Sequence, residues 1–184
     1  MKLHLGCGPR KIHGFVNIDA LASVGPDLIE DVFTLPSFKH GTVSLIYACH
    51  VLEHTQRNTH QAVLRRWFSL LRPGGILRVA TPDLRAAMEW YMATDRLQDI
   101  HGLLYGGQKD GYDHHGFGWD EATLTAELMA TGFASVRRYD WRTTEHYFID
   151  DFSQAYLPVI SYDTRRPGGK VTGKLVSLNL EAVK

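Results

Sequence analysis

Apolar positions along the first half of the chain fall in short runs that each end at a turn or an acidic residue. Such runs are typical of β-strands, and the nearly continuous apolar run at 43–49 is expected for a strand buried on both faces of a parallel sheet. Turn-forming and acidic residues after each run mark where the strands end. The strands predicted in this half are 3–5, 15–19, 27–31, 43–49 and 76–80.

The apolar period changes to that of a helix over residues 58–71. Asn58 and Gln61 resemble a capping box at its start, and the Pro-Gly-Gly run at 73–75 is expected to end it. Strands that alternate with a helix and with loops predict an α/β sheet. Later in the chain we predict helices over 84–98 and 120–132, the second capped by Asp120, and strands over 135–141 and 175–183.

The length of 184 residues predicts one domain, 1–184, that can bury a substantial core. The glycine-rich stretch 102–118 reads as a loop, and 84–118 is our candidate for a lid over a binding site. The stretch 142–173 is predicted to be an insertion before the last strand. Neither a repeat nor a low-complexity linker divides the chain.

Charge and composition exclude several classes of protein. Twenty basic and 20 acidic residues give a net charge of zero, so nothing attracts the chain as a whole to nucleic acid or to anionic lipid. No apolar run reaches the 18 residues of a membrane span, and the first residues become polar too early for a signal peptide. Cys7 and Cys49 form no CxxC pair, which favours free thiols and a cytoplasmic location.

A glycine turn and a carboxylate follow the first two predicted strands. Gly6, Cys7 and Gly8 lie where a turn exposes amide groups to a ligand, although many simple turns have the same composition. Asp19 ends the next strand, where a carboxylate can accept both hydroxyls of a ribose. A dinucleotide fingerprint would need a third glycine and an acid about 20 residues further on. Asp19 comes 11 residues after Gly8, so an NAD site fits poorly.

Four segments in order carry a resemblance to a known family: LHLGCGPRKIHGFVNID, DLIEDVFTLPSF, VSLIYACHVLEH and LRPGGILRVATPDL. Together they resemble the successive motifs of class I S-adenosylmethionine-dependent methyltransferases. More narrowly, the chain resembles small bacterial members associated with surface-polysaccharide or glycan pathways. The match is dense over residues 2–84. His4 departs from it, because the family commonly has an acid there.

This resemblance implies a Rossmann-like fold: a mostly parallel sheet with an antiparallel strand near the C-terminus. The connection between the first two strands is too short for the usual first helix. S-adenosyl-L-methionine is the implied cofactor, with Asp19 on its ribose. Its methionine end would lie against Gly6, Cys7, Gly8, Ala48, Cys49 and His50, while Asp31 and the amide of Val32 would hold the adenine.

The ten histidines are the unusual feature of the composition. His115, in the glycine-rich loop, is our preferred general base or substrate clamp, because a neutral imidazole can take a proton from a hydroxyl; a solvated loop histidine is as good an interpretation. His50 is expected to face cofactor or substrate, and His54 to bond nearby backbone. Asp83 could orient a hydroxyl or cap a helix. His13, His40, His60, His101 and His146 are expected at the surface.

The segment His50–His54 also matches H-x-x-E-H, the inverted zinc-peptidase motif. Such a motif needs both histidines on one long helix, whereas this segment directly follows a buried strand. A zinc peptidase is therefore one alternative, and a nucleotide-binding protein without turnover is another.

Our preferred hypothesis is methyl transfer to a hydroxyl of a sugar or other small, glycan-related acceptor. Aromatic residues and arginines are concentrated between 133 and 166, where they could stack on such an acceptor and hold phosphates. A core of late strands with a solvated rim explains that cluster equally well. The cluster includes Trp141, Phe152, Tyr156, Tyr162, Arg165 and Arg166.

Overall fold

The computed structural model describes residues 1–158 and 173–184. Arg165, Arg166 and Tyr162 of the predicted aromatic and arginine cluster, and residues 159–172 of the predicted insertion, lie outside these residues. The strands are β1 Lys2–Leu5, β2 Val16–Asp19, β3 Leu28–Ile29, β4 Val43–Cys49, β5 Leu71–Pro82, β6 Ser135–Arg138, β7 Tyr156–Leu157, β8 Lys174–Leu175 and β9 Ser177–Val183; the helices are α1 His60–Leu70, α2 Leu84–Thr94, α3 His101–Tyr105 and α4 Glu121–Thr131.

One sheet of seven strands, in the order β3-β2-β1-β4-β5-β9-β6, forms the centre of the described structure. The pairs among β1 to β5 are parallel, whereas β9 runs antiparallel to both β5 and β6. This confirms the predicted α/β fold with its mostly parallel sheet and late antiparallel strand. The short crossover is also confirmed, because residues 6–15 join β1 to β2 without a helix.

Helix α1 packs on the sheet through Trp67, which is fully buried and donates from Nε1 to the carbonyl of Val32 at 2.8 Å. The predicted capping box is wrong. Thr59 is the N-cap residue and makes no side-chain cap hydrogen bond, because Asn58 lies one position too early. The helix ends at Leu70, and the Pro-Gly-Gly run belongs to the start of β5, whose first residue pairs with Val43.

From residue 84 onwards, the structure has more and shorter helices and strands than the sequence predicts. Helix α2 ends at Thr94, and the left-handed backbone of the next residue, Asp95 (φ 53°), breaks the predicted helix 84–98. The predicted loop 102–118 contains most of α3, and the predicted strand 135–141 stops at Arg138 before a single 3-10 turn that starts at Trp141. Asp120 does cap α4, accepting from the amide of Thr123 at 2.8 Å. No helix in the described residues is long and apolar enough to cross a membrane.

A late segment of the chain covers the sheet where the first crossover helix is missing. The ring of His146 lies 4.0 Å from that of Tyr47 on β4 and 6.0 Å from that of Phe15, centroid to centroid. The hydroxyl of Tyr47 donates to Asp151 at 2.6 Å, and Ile149 packs on the same apolar cluster. Residues 145–151 therefore fill the space that a helix between β1 and β2 would occupy.

Two of the histidines expected at the surface are buried, so that prediction is wrong for them. His146 is 3% exposed because it lies under the late segment. His60 is 7% exposed because it starts α1 against the rings of Phe117 and Trp119, at 4.9 and 5.2 Å. His13, His40 and His101 are exposed.

Candidate functional site

A cavity of about 510 Å³ opens at the carboxyl ends of β1 and β4. In a sheet of this topology, this is the edge where loops converge on a ligand. Its walls come from the turn after β1, from the turn after β4 and from two later segments, 99–115 and 150–157, together with the single residues His4, Trp141 and Val176. Of the residues predicted for the site, Gly6, Cys7, Gly8, Cys49, His50 and His115 line it.

The turn after β1 depends on its two glycines. Gly6 and Gly8 have left-handed backbone, with φ of 61° and 51°, which glycine adopts without strain. A Cβ at Gly6 would lie 2.5 Å from Cγ2 of Val51, whereas a Cβ at Gly8 would meet no atom of the described residues within 4 Å. Gly6 thus allows β1 to pass close to the turn after β4, and Gly8 presents open backbone.

Asp19 at the end of β2 holds this turn in place. Its Oδ2 accepts from the amide of Gly8 at 2.8 Å, and its Oδ1 accepts from the amide of Leu21 at 2.9 Å. The carboxylate is half-buried and lies next to the cavity rather than among its lining residues. Each oxygen keeps a second lone pair with which it can accept from a ligand hydroxyl.

The other predicted cofactor residues lie behind or beside the cavity. Asp31 is exposed and accepts from the amide of Phe33 at 2.8 Å and from the hydroxyl of Thr34 at 3.2 Å. Val32 is buried, and Ala48 is completely buried. None of the three is a lining residue of the cavity in the described chain.

Both cysteines are free thiols without the features of a nucleophile. Burial raises the pKa of Cys7 to about 11 and that of Cys49 well above its usual value. Because the thiolate is the reactive form, both cysteines act here as small side chains of the wall.

His50 follows β4 in a strained conformation. Its φ is 53°, which is rare for a residue with a side chain and turns the chain sharply at the carboxyl end of the strand. The ring lies 5.0 Å from that of Phe152. Burial lowers the pKa of His50 to about 3, helped by the neighbouring His115 and His54, so the ring is neutral.

His54 and His115 come from distant parts of the chain and meet at the cavity wall, with ring centroids 5.0 Å apart. His54 Nδ1 lies 3.0 Å from the carbonyl oxygen of His114, and His115 Nδ1 lies 3.0 Å from that of Leu103. A carbonyl can only accept, so both rings carry their proton on Nδ1 and keep a lone pair on Nε2. Burial lowers the pKa of His115, which therefore favours its neutral form.

Glu53 lies directly behind these histidines and is 1% exposed. His50 Nδ1 is 3.2 Å from its Oε1, but neither carboxylate oxygen makes a well-formed hydrogen bond within the described residues. Burial raises the pKa of Glu53 to about 8. The H-x-x-E-H segment is the sequence signal for Glu53, which the predicted site does not include.

The H-x-x-E-H segment does not form the helix that an inverted zinc-peptidase motif needs. His50 occupies a left-handed turn, and only Leu52–His54 form a single 3-10 turn. The two histidines of the motif therefore do not lie one turn apart on an α-helix, which removes the geometric basis of the peptidase alternative.

Asp83 forms structural contacts with a helix end and with an arginine. It caps α2 by accepting from the amide of Ala86 at 3.1 Å, and its other oxygen accepts from Arg138 at 3.1 Å. It is 5% exposed and does not line the cavity at the carboxyl ends of β1 and β4. Its helix-capping role, one of the two interpretations from the sequence, is the one that these contacts support.

Three members of the aromatic and arginine cluster predicted from the sequence line the cavity. Trp141, Phe152 and Tyr156 form an aromatic side of the cavity, and Trp141 donates from Nε1 to the hydroxyl of Tyr156 at 3.3 Å. The high density of aromatic residues in this part of the sequence was the one signal for them. It did not distinguish residues of a cavity wall from residues of the core. The polar residues of the remaining wall are Arg10, Asp99, Lys109, Asp113, Asp150, Asp151 and Gln154.

Comparisons with known proteins agree with this architecture. A family model described as "Methyltransferase domain" matches residues 12–79, which is less than half of the chain. No curated protein gives a significant match. Among solved structures, a SAM-dependent methyltransferase from Archaeoglobus fulgidus is similar at 15% identity and a TM-score of 0.60, over 100% of this chain and 85% of that one.

Two further solved structures are similar at the same level. A possible histamine N-methyltransferase from Thermotoga maritima has 11% identity and a TM-score of 0.59, over 100% of this chain and 81% of that one. The 1,6-didemethyltoxoflavin-N1-methyltransferase of Burkholderia thailandensis, solved with S-adenosylhomocysteine, has 15% identity and a TM-score of 0.54, over 100% of this chain and 70% of that one. At such identities the likeness shows the fold, which is that of S-adenosylmethionine-dependent methyltransferases.

Proposed function

We propose that this protein is a methyltransferase that uses S-adenosyl-L-methionine and methylates a hydroxyl of a sugar or another small, glycan-related acceptor. The observation that carries the proposal is the hydrogen bond between Gly8 and Asp19, 2.8 Å long, beside the cavity at the carboxyl ends of β1 and β4. It joins the glycine turn after β1 to the acid at the end of β2, which are the two elements that a nucleoside cofactor needs at this edge of the sheet.

The residues at this edge suit the cofactor. The open backbone at Gly8 lets a ligand approach closely, and Asp19 has lone pairs directed away from its two amide partners. Asp31 and the amide of Val32 follow β3 next in the sheet and are proposed to hold the adenine. Cys49 and His50 line the cavity at the end of β4, where the methionine end would lie.

When bound, the cofactor would supply a methyl carbon on a positively charged sulfur. An acceptor oxygen would bond to that carbon as the carbon–sulfur bond breaks and S-adenosylhomocysteine leaves. The chain has to position that oxygen and take its proton. A pKa of about 3 makes His50 a weak base at neutral pH. His115 presents Nε2, because its Nδ1–H is held by the carbonyl of Leu103. We therefore assign the proton to His115.

The rest of the cavity wall supports a sugar-containing acceptor. Trp141, Phe152 and Tyr156 offer faces on which a sugar ring can stack, and polar side chains surround them. The net charge of zero gives no reason to expect a nucleic acid. A sugar-containing small molecule or glycan precursor matches both features.

Thermal unfolding with S-adenosylhomocysteine tests the cofactor. At 100 times its dissociation constant a ligand stabilises the fold by about 2.7 kcal/mol, so the melting temperature should rise. Asp19→Asn and Asp19→Ala should reduce this rise, and Glu89→Gln, which changes an exposed carboxylate on α2, should leave it intact. A rise with NAD and none with S-adenosylhomocysteine would refute the proposal.

Transfer of a labelled methyl group to a panel of sugars, nucleotide sugars and glycan fragments tests the reaction. His115→Ala should leave the affinity for S-adenosylhomocysteine unchanged and lower kcat by roughly 10²-fold or more, as expected for the loss of a general base. His40→Ala is the control, because His40 is exposed and precedes β4 at the opposite edge of the sheet. Unchanged turnover in His115→Ala would exclude His115 as the base.

A further inference from the structure

We propose that Glu53, His54 and His115 form a binding site for a divalent transition-metal ion in the wall of the cavity. One ring nitrogen of each histidine and one carboxylate oxygen of Glu53 lie within 4.8 Å of one another. Two imidazoles and a carboxylate are a donor set that suits ions such as Zn²⁺. Three protein ligands leave at least one coordination position open.

The two histidines are oriented as metal ligands usually are. Each donates its Nδ1–H to a backbone carbonyl at 3.0 Å, His54 to His114 and His115 to Leu103. A ligating histidine typically donates its second ring nitrogen to such a group, which fixes the tautomer and directs the other nitrogen to the ion. The contacts of Nδ1 leave Nε2 of each ring available to bind an ion.

Glu53 provides an independent observation. It is 1% exposed, and both oxygens lack a hydrogen-bond partner among residues 1–158 and 173–184. A buried carboxylate without a well-formed hydrogen bond is unfavourable, since burial has removed its water. A cation between Glu53 and the two histidines would satisfy it. His50, with Nδ1 3.2 Å from Oε1, lies on the other side of the same carboxylate.

Backbone contacts hold the two halves of the site together. The amides of Gly116 and Phe117 donate to the carbonyl oxygen of Glu53, at 2.8 and 3.2 Å. A Cβ at Gly116 would lie 2.5 Å from the carbonyl oxygen of Thr55, so only glycine allows this approach. The loop that carries His115 is therefore fixed against the turn that carries Glu53 and His54. In a tetrahedral zinc site the ligand atoms are about 3.3 Å apart, so side-chain rotation has to complete the site.

The site opens towards the ligand cavity. His54 and His115 are lining residues, whereas Glu53 closes the site from behind. The open position thus faces the place where an acceptor would bind and can take a water molecule or an acceptor hydroxyl, which the ion makes more acidic. With the ion bound, His115 is a ligand rather than the base. The binding of an acceptor hydroxyl at the open position rests on the proposed function, whereas metal binding itself does not.

Calorimetric titration of the metal-free chain with Zn²⁺, without cofactor, tests the site. We expect one ion per chain, with affinity at least 10-fold weaker in each of His54→Ala, His115→Ala and Glu53→Gln. His40→Ala should bind like the wild type. Mg²⁺ should bind far more weakly than Zn²⁺ or Mn²⁺, because it prefers oxygen ligands. Binding well below one equivalent, or an equal loss in His40→Ala, would refute the site.

X-ray absorption of the wild-type zinc complex tests the ligands even where a variant fails to fold. We expect the spectrum to show two imidazole nitrogens and an oxygen bound to the zinc ion. Scattering from a sulfur ligand would instead assign the ion to Cys7 or Cys49. The cofactor test distinguishes the two proposals. A wild-type chain that binds no zinc but responds normally to S-adenosylhomocysteine counts against the metal site alone, and a wild-type chain that binds zinc but does not respond to S-adenosylhomocysteine counts against the proposed function alone.

Discussion

The ring of His4 donates a hydrogen bond to the side chain of Asn17, with 3.0 Å between Nδ1 and Oδ1. The two residues pair in register on β1 and β2. Asn17 Nδ2 donates to Asp27 at 2.7 Å, so its Oδ1 faces His4 and also accepts from the amide of Ile12 at 2.8 Å. This network holds the helix-free crossover in place, and it uses the histidine found where the resembled family commonly has an acid.

Removal of this network should destabilise the fold. We expect Asn17→Ala to lower the free energy of unfolding by roughly 2–3 kcal/mol, because the buried ring of His4 and the amide of Ile12 lose their acceptor. Urea denaturation measures the change. Asn58→Ala is the control, since Asn58 is exposed and should change stability by less than about 0.5 kcal/mol. Equal effects of the two substitutions would contradict the importance of the network.

Gly116→Ala should separate the loop of His115 from the turn of His54. The added methyl group would overlap the carbonyl oxygen of Thr55, and we expect a loss of roughly 1–3 kcal/mol together with weaker zinc binding. Gly111→Ala in the same loop meets nothing within 4 Å and is the matched control. Thermal unfolding and zinc titration of both variants check this; a stable Gly116→Ala chain with normal zinc affinity would disprove the close approach.

Substitution of Gly6 should act through two separable effects. Alanine at a φ of 61° costs roughly 1–2 kcal/mol, and its methyl group would also overlap Val51. We expect Gly6→Ala to lower both stability and affinity for S-adenosylhomocysteine. In a double-mutant cycle with Val51→Ala, the overlap should disappear and the backbone strain remain. Strictly additive effects would show that Val51 does not limit the turn.

Burial of His146 should make stability depend on pH. Desolvation, with a smaller contribution from Arg78, lowers its pKa from 6.5 to about 4, although Asp151 and Glu145 act in the opposite direction and His4 adds to the lowering. The unfolded chain therefore binds more protons between about pH 6.5 and 4, and stability falls as the pH falls through this window.

The contribution should be roughly 3 kcal/mol and should be absent from His146→Phe, which cannot titrate. Urea denaturation at several pH values measures the slope of stability against pH for both chains. His40→Phe, at an exposed position, should keep the wild-type slope. An unchanged slope in His146→Phe would assign the pH dependence to other groups.

Local patterns in the sequence predicted much of the fold. The apolar run at 43–49 became β4 with the same ends, and Asp120 caps its helix because both signals depend only on neighbouring residues. The ten-residue crossover correctly implied the absence of a helix, since its length alone excludes one. The prediction of a capping box was wrong because a shift of one residue at the helix start changes which side chain can cap the helix.

Long-range packing explains what the sequence did not reveal. His146 is buried against Tyr47, about a hundred positions earlier, and no local pattern records that neighbour. The same holds for the candidate metal site. The H-x-x-E-H segment supplies Glu53 and His54, but the third ligand, His115, comes from a loop 61 residues after His54. A motif search finds the first two and cannot select the third among the remaining histidines.

The late segment that covers the first strands has a consequence for biosynthesis. Lys2 bonds to Glu145 across 143 positions, and Tyr47 bonds to Asp151 across 104. At translation rates of roughly 5–20 residues per second, the interval between Lys2 and Glu145 is about 7–30 seconds. The apolar surface around Phe15 and Tyr47 therefore leaves the ribosome well before its cover. We expect the nascent chain to depend on chaperones during this interval more than a relative whose first crossover contains a helix.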